Sequence, residues 1–319
     1  MKTGKMRNIL LADILVLLLL FLASSTDLLI KEEEFEVHKI AVMVDMPVKG
    51  QVDNFRAGAM KASAEYHADI NFINLSVWNE MEDKQAVLRK ELDNGCKGVI
   101  LHCEKEAEIK SILEEIPAGI QVLLYNADVE DADAQGNVGS DVEEEGRLLL
   151  EAVLQDEHPE ERVVLVEMAS CGERVLLLHD LIQTQLEAEG LLVRRVQVEK
   201  LSEIKGLLKG MPALSGGTLV SADISVLQTL GEENASLGDT MAVYGVGFHS
   251  GIRRLIEEGH ISGSVVHRAY EAGYFSVERM IGLLEGESFA EEKIMVEAAL
   301  VTQKNMYLPE MESIVFPYV

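Results

Sequence analysis

Six polar residues each stand just after a short apolar run. Asp45 follows residues 40–44, His102 follows 99–101, Asn126 follows 123–125 and Asp223 follows 218–221. His249 comes after a run ending near Tyr244 and a short glycine turn, and His267 follows Val265-Val266. Carboxylates, an amide and imidazoles can exchange hydrogen bonds with a hydroxyl-bearing solute. In open parallel sheets such solutes bind outside the carboxyl ends of the strands. Each residue also has a purely structural use. Asp45 and Asn126 suit turns, Asp223 suits the N-cap of the helix after it, and His102 can sit half-buried against the backbone. Polar groups from both halves of the chain, all at one kind of sheet edge, favour a cleft over six separate structural roles. Asp141, ahead of an acidic helix start, and Gln51, in the loop before the first helix of the body, complete the candidate ligand-binding set.

Catalytic signatures are missing. The 319 residues hold no GxSxG, HExxH, P-loop or dinucleotide fingerprint. Gly245-Val246-Gly247 follows a strand, but Ser250 stands where a third glycine would be needed. The eight histidines show no metal spacing, and in His102-Cys103-Glu104 neighbouring side chains leave a strand on opposite faces. Cys96, Cys103 and Cys171 form no CxxC and cannot all pair within one chain. No cofactor and no metal is expected, and the chain reads as a binding protein, not an enzyme. The net charge of −27 argues against nucleic acid, whose phosphates require clustered Lys and Arg.

The elements that would position these residues alternate. Strand-like runs of Val, Ile and Leu take turns with amphipathic helices, among them 54–67, 80–94, 175–189 and 269–284, down to a last strand over 295–301. That rhythm predicts βαβ units and parallel sheets. About a dozen strands exceed one simple sheet, so two similar α/β lobes are expected. Ahead of them, Lys2, Lys5 and Arg7 precede an apolar stretch from Ile9 to Ala23, broken only by Asp13, and then Ser24-Ser25-Thr26. This is the pattern of a secretory signal, with an uncleaved signal anchor as the alternative. Residues 1–30 are assigned to it and 31–38 to a tether.

Several segments, in order, resemble one family. Gly139-Ser140-Asp141-Val142-Glu143-Glu144-Glu145-Gly146-Arg147 is similar to the G-S-D-x-x-x-x-G-R stretch that enters the second lobe of type 1 periplasmic binding proteins. Phe55 through Ala64, with Gly58 inside, resembles their first helix. Gly98-Val99-Ile100-Leu101 resembles a core strand, Glu258 through His267 the segment E-x-G-x-I-x-x-x-I-x-Q, Ala272 through Val277 a G-Y-x-A-V helix, and Val301 through Met306 a V-T-x-x-N ending. The resemblance spans residues 39–307. It implies two Rossmann-like lobes with parallel sheets flanked by helices, joined by a three-strand hinge that closes on ligand. Lobe one is expected at 39–138 plus 268–287 and lobe two at 139–267 plus 288–319, with crossovers near 138–141, 265–268 and 287–292.

The same resemblance implies an extracytoplasmic protein that captures a small polar solute, with sugars as candidates. It would hand that solute to an ABC transporter permease or a sensor histidine kinase. Four departures weaken the sugar assignment: His267 stands where the family's glutamine would be, the Asn or Arg after the fourth strand is matched only by Asn126 with Ala127 after it, and two more concern stacking and grip. The loop 46–53 has no aromatic on which a pyranose could stack, and Leu177 aligns with the arginine that often grips a sugar. The alternatives are an effector-binding domain like those of lac-repressor-type regulators and an α/β enzyme of unknown chemistry.

Overall fold

The computed structural model describes residues 2–25, 37–46, 48, 50, 52–127, 129, 132–155, 162–210, 217–238 and 241–316. The chain divides into two compact units, 1–37 and 38–319. In the first, α1 (Lys2–Ser25) carries the apolar stretch, and Leu17, Leu19 and Phe21 are exposed on it. Among the described residues no helix is long and apolar enough to cross a membrane.

The second unit starts with β1 (Lys39–Val44), α2 (Asp53–Glu65), β2 (Asp69–Asn74), α3 (Met81–Asp93), β3 (Gly98–His102), α4 (Glu106–Leu113), β4 (Gln121–Tyr125) and β5 (Asn137–Ser140). The alternation then repeats through α5 (Val142–Leu154), β6 (Arg162–Met168), α6 (Glu173–Ala188), β7 (Leu192–Val198), α7 (Ile204–Lys209), β8 (Thr218–Ser221), α8 (Ile224–Ser236), β9 (Ala242–Val246), α9 (Ser250–Glu257) and β10 (Gly263–His267). It ends with α10 (Ala269–Leu284), β11 (Lys293–Val296), β12 (Ala298–Val301) and α11 (Pro309–Val315).

Two six-stranded sheets result, ordered β2-β1-β3-β4-β5-β11 and β7-β6-β8-β9-β10-β12. The order is the same in both, so each has its switch point between its first and third strands, β1/β3 and β6/β8. Helices cover both faces, which is why β3 and β9 are buried along their whole length. Alternate residues of β1 serve opposite faces. Ile40, Val42 and Val44 pack with Phe55, Ala59 and Met280, while Ala41 and Met43 meet Leu88, Ile109 and Ile112.

The chain crosses between sheets at Asp141, Arg268 and Glu297. The sequence predicts the third crossing at 287–292 and one strand over 295–301. The structure corrects both. β11 pairs with β5 in the first sheet, and β12 joins the second sheet one residue later. Lys293–Val296 therefore belongs with lobe one. A strand that leaves one sheet at its cleft edge must enter the other at its cleft edge. β12 accordingly runs antiparallel to β10, whereas the other described pairings are parallel.

The glycine in the first-helix motif has a steric cause. A Cβ on Gly58 would stand 1.8 Å from the carbonyl oxygen of Tyr270, and one on Gly273 would stand 2.0 Å from that of Phe55. α2 and α10 thus touch backbone to backbone, each through the other's glycine. Gly58→Ala is expected to force the helices apart and lower stability in urea by about 1–3 kcal/mol or more. Gly206→Ala, in α7 with open space around it, should instead gain about 0.5–1 kcal/mol. Equal effects at the two positions would contradict the close-approach explanation.

Candidate functional site

The carboxyl edges of the two sheets line a cavity of about 600 Å3, within the roughly 300–1,000 Å3 of small-ligand sites. Of the residues predicted from sequence, His102, Asn126, Asp141, Asp223 and His267 line it. Two do not. Asp45 accepts a hydrogen bond from Lys84 Nζ at 2.6 Å, and the same ammonium holds Glu108 at 2.7 Å. Burial opposes the charge on Lys84, but the two carboxylates outweigh it and raise the pKa. Asp45 is thus the counter-ion of a buried lysine in α3. His249 caps α9, its Nδ1 accepting from Gly251 N at 3.0 Å, and lies outside the cavity. Gln51 lies outside the described residues.

The floor is a polar network that crosses the hinge, and sequence reasoning missed most of its members. Its centre is Glu145 of α5, 1% exposed. Arg174 Nη2 of α6 donates to Glu145 Oε2 at 2.7 Å and to Ser140 Oγ at 2.9 Å. Ser140 Oγ donates to Glu145 Oε1 at 2.6 Å. His267 places Nδ1 3.5 Å from Glu145 Oε1 and Nε2 3.0 Å from the Tyr125 hydroxyl. Burial penalises the Glu145 charge, but His267, Arg174 and Ser140 overcome it and hold the carboxyl down at about 2. Asn126, in the left-handed region at φ 51°, accepts from Ser140 N at 3.2 Å and so ties the ends of β4 and β5 together. The arginine that faces the cleft is Arg174, one helical turn before Leu177, and its lining neighbours already engage it.

His102 and Asp223 sit at the two switch points. His102 is 9% exposed. Its Nδ1 lies 2.8 Å from the Tyr125 carbonyl oxygen. A carbonyl can only accept, so Nδ1 carries the proton and Nε2 is an acceptor. Burial lowers the His102 pKa to about 4, which keeps the ring neutral. Asp223 Oδ1 caps α8, accepting from Ser225 N and Val226 N at 2.9 and 3.2 Å. Its turn is fixed from beneath. His179 Nε2 accepts from Ala222 N at 2.9 Å, while His179 Nδ1 donates to the buried Glu167 at 2.6 Å. Asp141 caps α5 in the same way, accepting from Glu143 N at 2.8 Å.

The lobes also meet at the lip. Glu106 N, at the start of α4, donates to Glu173 Oε2 of α6 at 3.0 Å. A Cβ on Gly172 would lie 2.2 Å from the carbonyl oxygen of Glu104. The cavity is closed by contacts on both sides.

No family profile and no curated protein matches the sequence. Solved structures do match. One is a carbohydrate transporter solute-binding protein from Agrobacterium radiobacter in complex with D-arabinose, with a TM-score of 0.77 and 17% identity over 88% of this chain and 100% of that one. The chain has the type 1 periplasmic-binding-protein fold. An ABC transporter solute-binding protein from Bacillus halodurans with bound myo-inositol shares this fold, with a TM-score of 0.73 and 17% identity over 86% of this chain and 97% of that one. So does a chain of the XylFII–LytSN complex, with a TM-score of 0.70 and 16% identity over 84% and 99%.

The buried His102 predicts a pH signature. The folded chain keeps the ring neutral to about pH 4, whereas the unfolded chain takes a proton below 6.5. Stability should therefore fall as pH drops from 6.5 to 4, by on the order of 2–3 kcal/mol from this group. His102→Asn should flatten urea-unfolding stability across that window. An unchanged slope would mean the ring is charged in the folded state.

Proposed function

We propose that this protein is an extracytoplasmic solute-binding protein that captures a small polar ligand between its lobes. The observation that carries this is the cavity itself. It lies at the switch points of both sheets, polar groups from both lobes line it, and contacts at floor and lip close it. The fold is that of proteins solved with D-arabinose and myo-inositol. Ligand bridging the lobes favours the closed state, and a partner reads that closure. The partner is a transporter permease or a sensor kinase. The XylFII–LytSN complex supports a partner chain docked on this fold. The apolar stretch of α1, with its basic start, supports export or anchoring outside the cytoplasmic membrane.

Binding fits the cleft better than turnover does. Burial pushes the Cys103 thiol up beyond the usual range and the Cys171 thiol up to about 11, so both stay protonated and unreactive. Ser140 donates to a carboxylate already held by an arginine, which is no general base for a nucleophile.

Monosaccharides and polyols, D-arabinose and myo-inositol among them, should include compounds that raise the melting temperature and are recovered unchanged. Chemical conversion of a bound compound would assign an enzyme instead. Gly172→Ala places a methyl group in the lip contact, at an ordinary φ of −76°. It should weaken the bound compound by about tenfold or more while leaving the ligand-free melting temperature nearly unchanged. Undiminished affinity would show that the lip does not close on ligand. Protease added to spheroplasts should digest residues 38–319, and protection behind an intact membrane would overturn the location.

A further inference from the structure

The cleft has far more negative than positive groups. Glu104, Glu106, Asp141, Glu143, Glu145, Glu173 and Asp223 line it, against Arg174 and Lys293. The two cations do not balance the excess. Arg174 bonds the Glu145–Ser140 pair, and Lys293, on β11 at the hinge, already has an interaction of its own.

The carboxylates are not all alike. Glu145 is neutralised in the floor, Glu173 caps α4 and Glu106 pairs with Lys110 at 2.5 Å. Asp141 and Asp223 cap their helices through Oδ1, and both line the cavity. Glu104 comes from lobe one and Asp223 from lobe two, at the two switch points. Their charges work against each other across the closed mouth. Glu104 still reaches solvent there, but the close packing around it and the charges of Asp223, Asp45 and Glu108 push its carboxyl up to about 7. Closing the lobes on a neutral molecule would leave that repulsion in place.

A second observation, independent of the carboxylates, points the same way. His102 is nine-tenths buried, lines the cavity and accepts at Nε2, and no described residue donates to that atom. It therefore faces the occupant as an acceptor. With Glu104, Asp141 and Asp223 it lines the cavity with groups that accept hydrogen bonds, and a cation beside Glu104 would return that carboxyl to its ionised form. The matching partner is an ammonium or guanidinium nitrogen, which donates and compensates charge at once.

We infer that the ligand is a cationic polyol of amino-sugar type, its charged nitrogen seated between Glu104 and Asp223 and near His102, and not a neutral or anionic sugar. This rests on the solute-binding function proposed above and narrows its ligand class. Charge, not a pyranose face, would hold the ligand.

The test is calorimetric titration of the full chain with glucosamine and galactosamine, beside glucose, galactose and N-acetylglucosamine, with spermidine as an amine lacking hydroxyls. An amine-bearing sugar should bind at least about tenfold more tightly than its neutral counterpart. Acetylation of the nitrogen should abolish that preference, and added salt should weaken it. Asp223→Asn retains the α8 cap, because Asn caps about as well as Asp. It should reduce amine binding about tenfold at an unchanged melting temperature, and Glu104→Gln should do likewise. A neutral sugar bound as tightly as its amine would overturn the charge assignment while leaving the solute-binding function intact. Spermidine bound more tightly than the amino sugars would overturn the polyol part alone. Amine binding untouched by both variants would remove Glu104 and Asp223 from the site. If none of these compounds binds, the amino-sugar class is overturned. If the wider monosaccharide and polyol panel also fails, so is the solute-binding function.

Discussion

One buried carboxylate organises the cleft. Glu145 lies on the inner face of α5, where an isolated charge would be prohibitively costly. It is tolerated because Arg174, Ser140 and His267 reach it from three elements. Ser140 ends β5 of lobe one, Arg174 opens α6 of lobe two, and His267 ends β10 beside the second crossing and touches Tyr125 of lobe one. Satisfying this one charge fixes the geometry of the hinge. It also uses the arginine that would otherwise have faced a ligand, and thereby sets the electrostatic character of the cavity above it.

The same device recurs on a smaller scale deeper in lobe two. Glu167, next to the end of β6, is wholly buried. Arg195 Nε, Gln197 Nε2 and His179 Nδ1 donate to it. Through the other ring nitrogen His179 takes the backbone proton of Ala222 and so sets the turn that presents Asp223. His179 is a positioning residue, one step removed from the cavity. At both places a buried acid is compensated by cations and donors so that a strand end points correctly.

The fold was legible in the sequence because it rests on periodicity, which is local. Helix α10 matches its predicted span, and strands such as β3 follow from short apolar runs like Val99-Ile100-Leu101. The last strand was misjudged for a physical reason: nothing in Met295 through Val301 announces that the chain changes sheets at Glu297. The site was only half legible. Strand-end polar residues were found, yet Asp45 and His249 could not be separated from true lining residues. What separates them is the partner: Lys84, 39 residues away, for Asp45, and the backbone of Gly251, at the start of α9, for His249. Glu145 did leave a signal. It falls on the stripe of α5 that contains Leu149, Ala152 and Val153, and an acid on a buried stripe must find a counter-charge. Arg174 was passed over because the family alignment pointed to Leu177, one turn further along the same helix.

The account depends on two lobes that close on a ligand about a hinge fixed at Glu145. Small-angle X-ray scattering of the ligand-free and ligand-saturated protein measures that directly. The closed contacts at floor and lip predict that the saturated protein scatters as the structure described here, and that the ligand-free protein is more expanded, with a larger radius of gyration. Superimposable curves, with calorimetry confirming that ligand is bound, would show a rigid cavity and contradict the account.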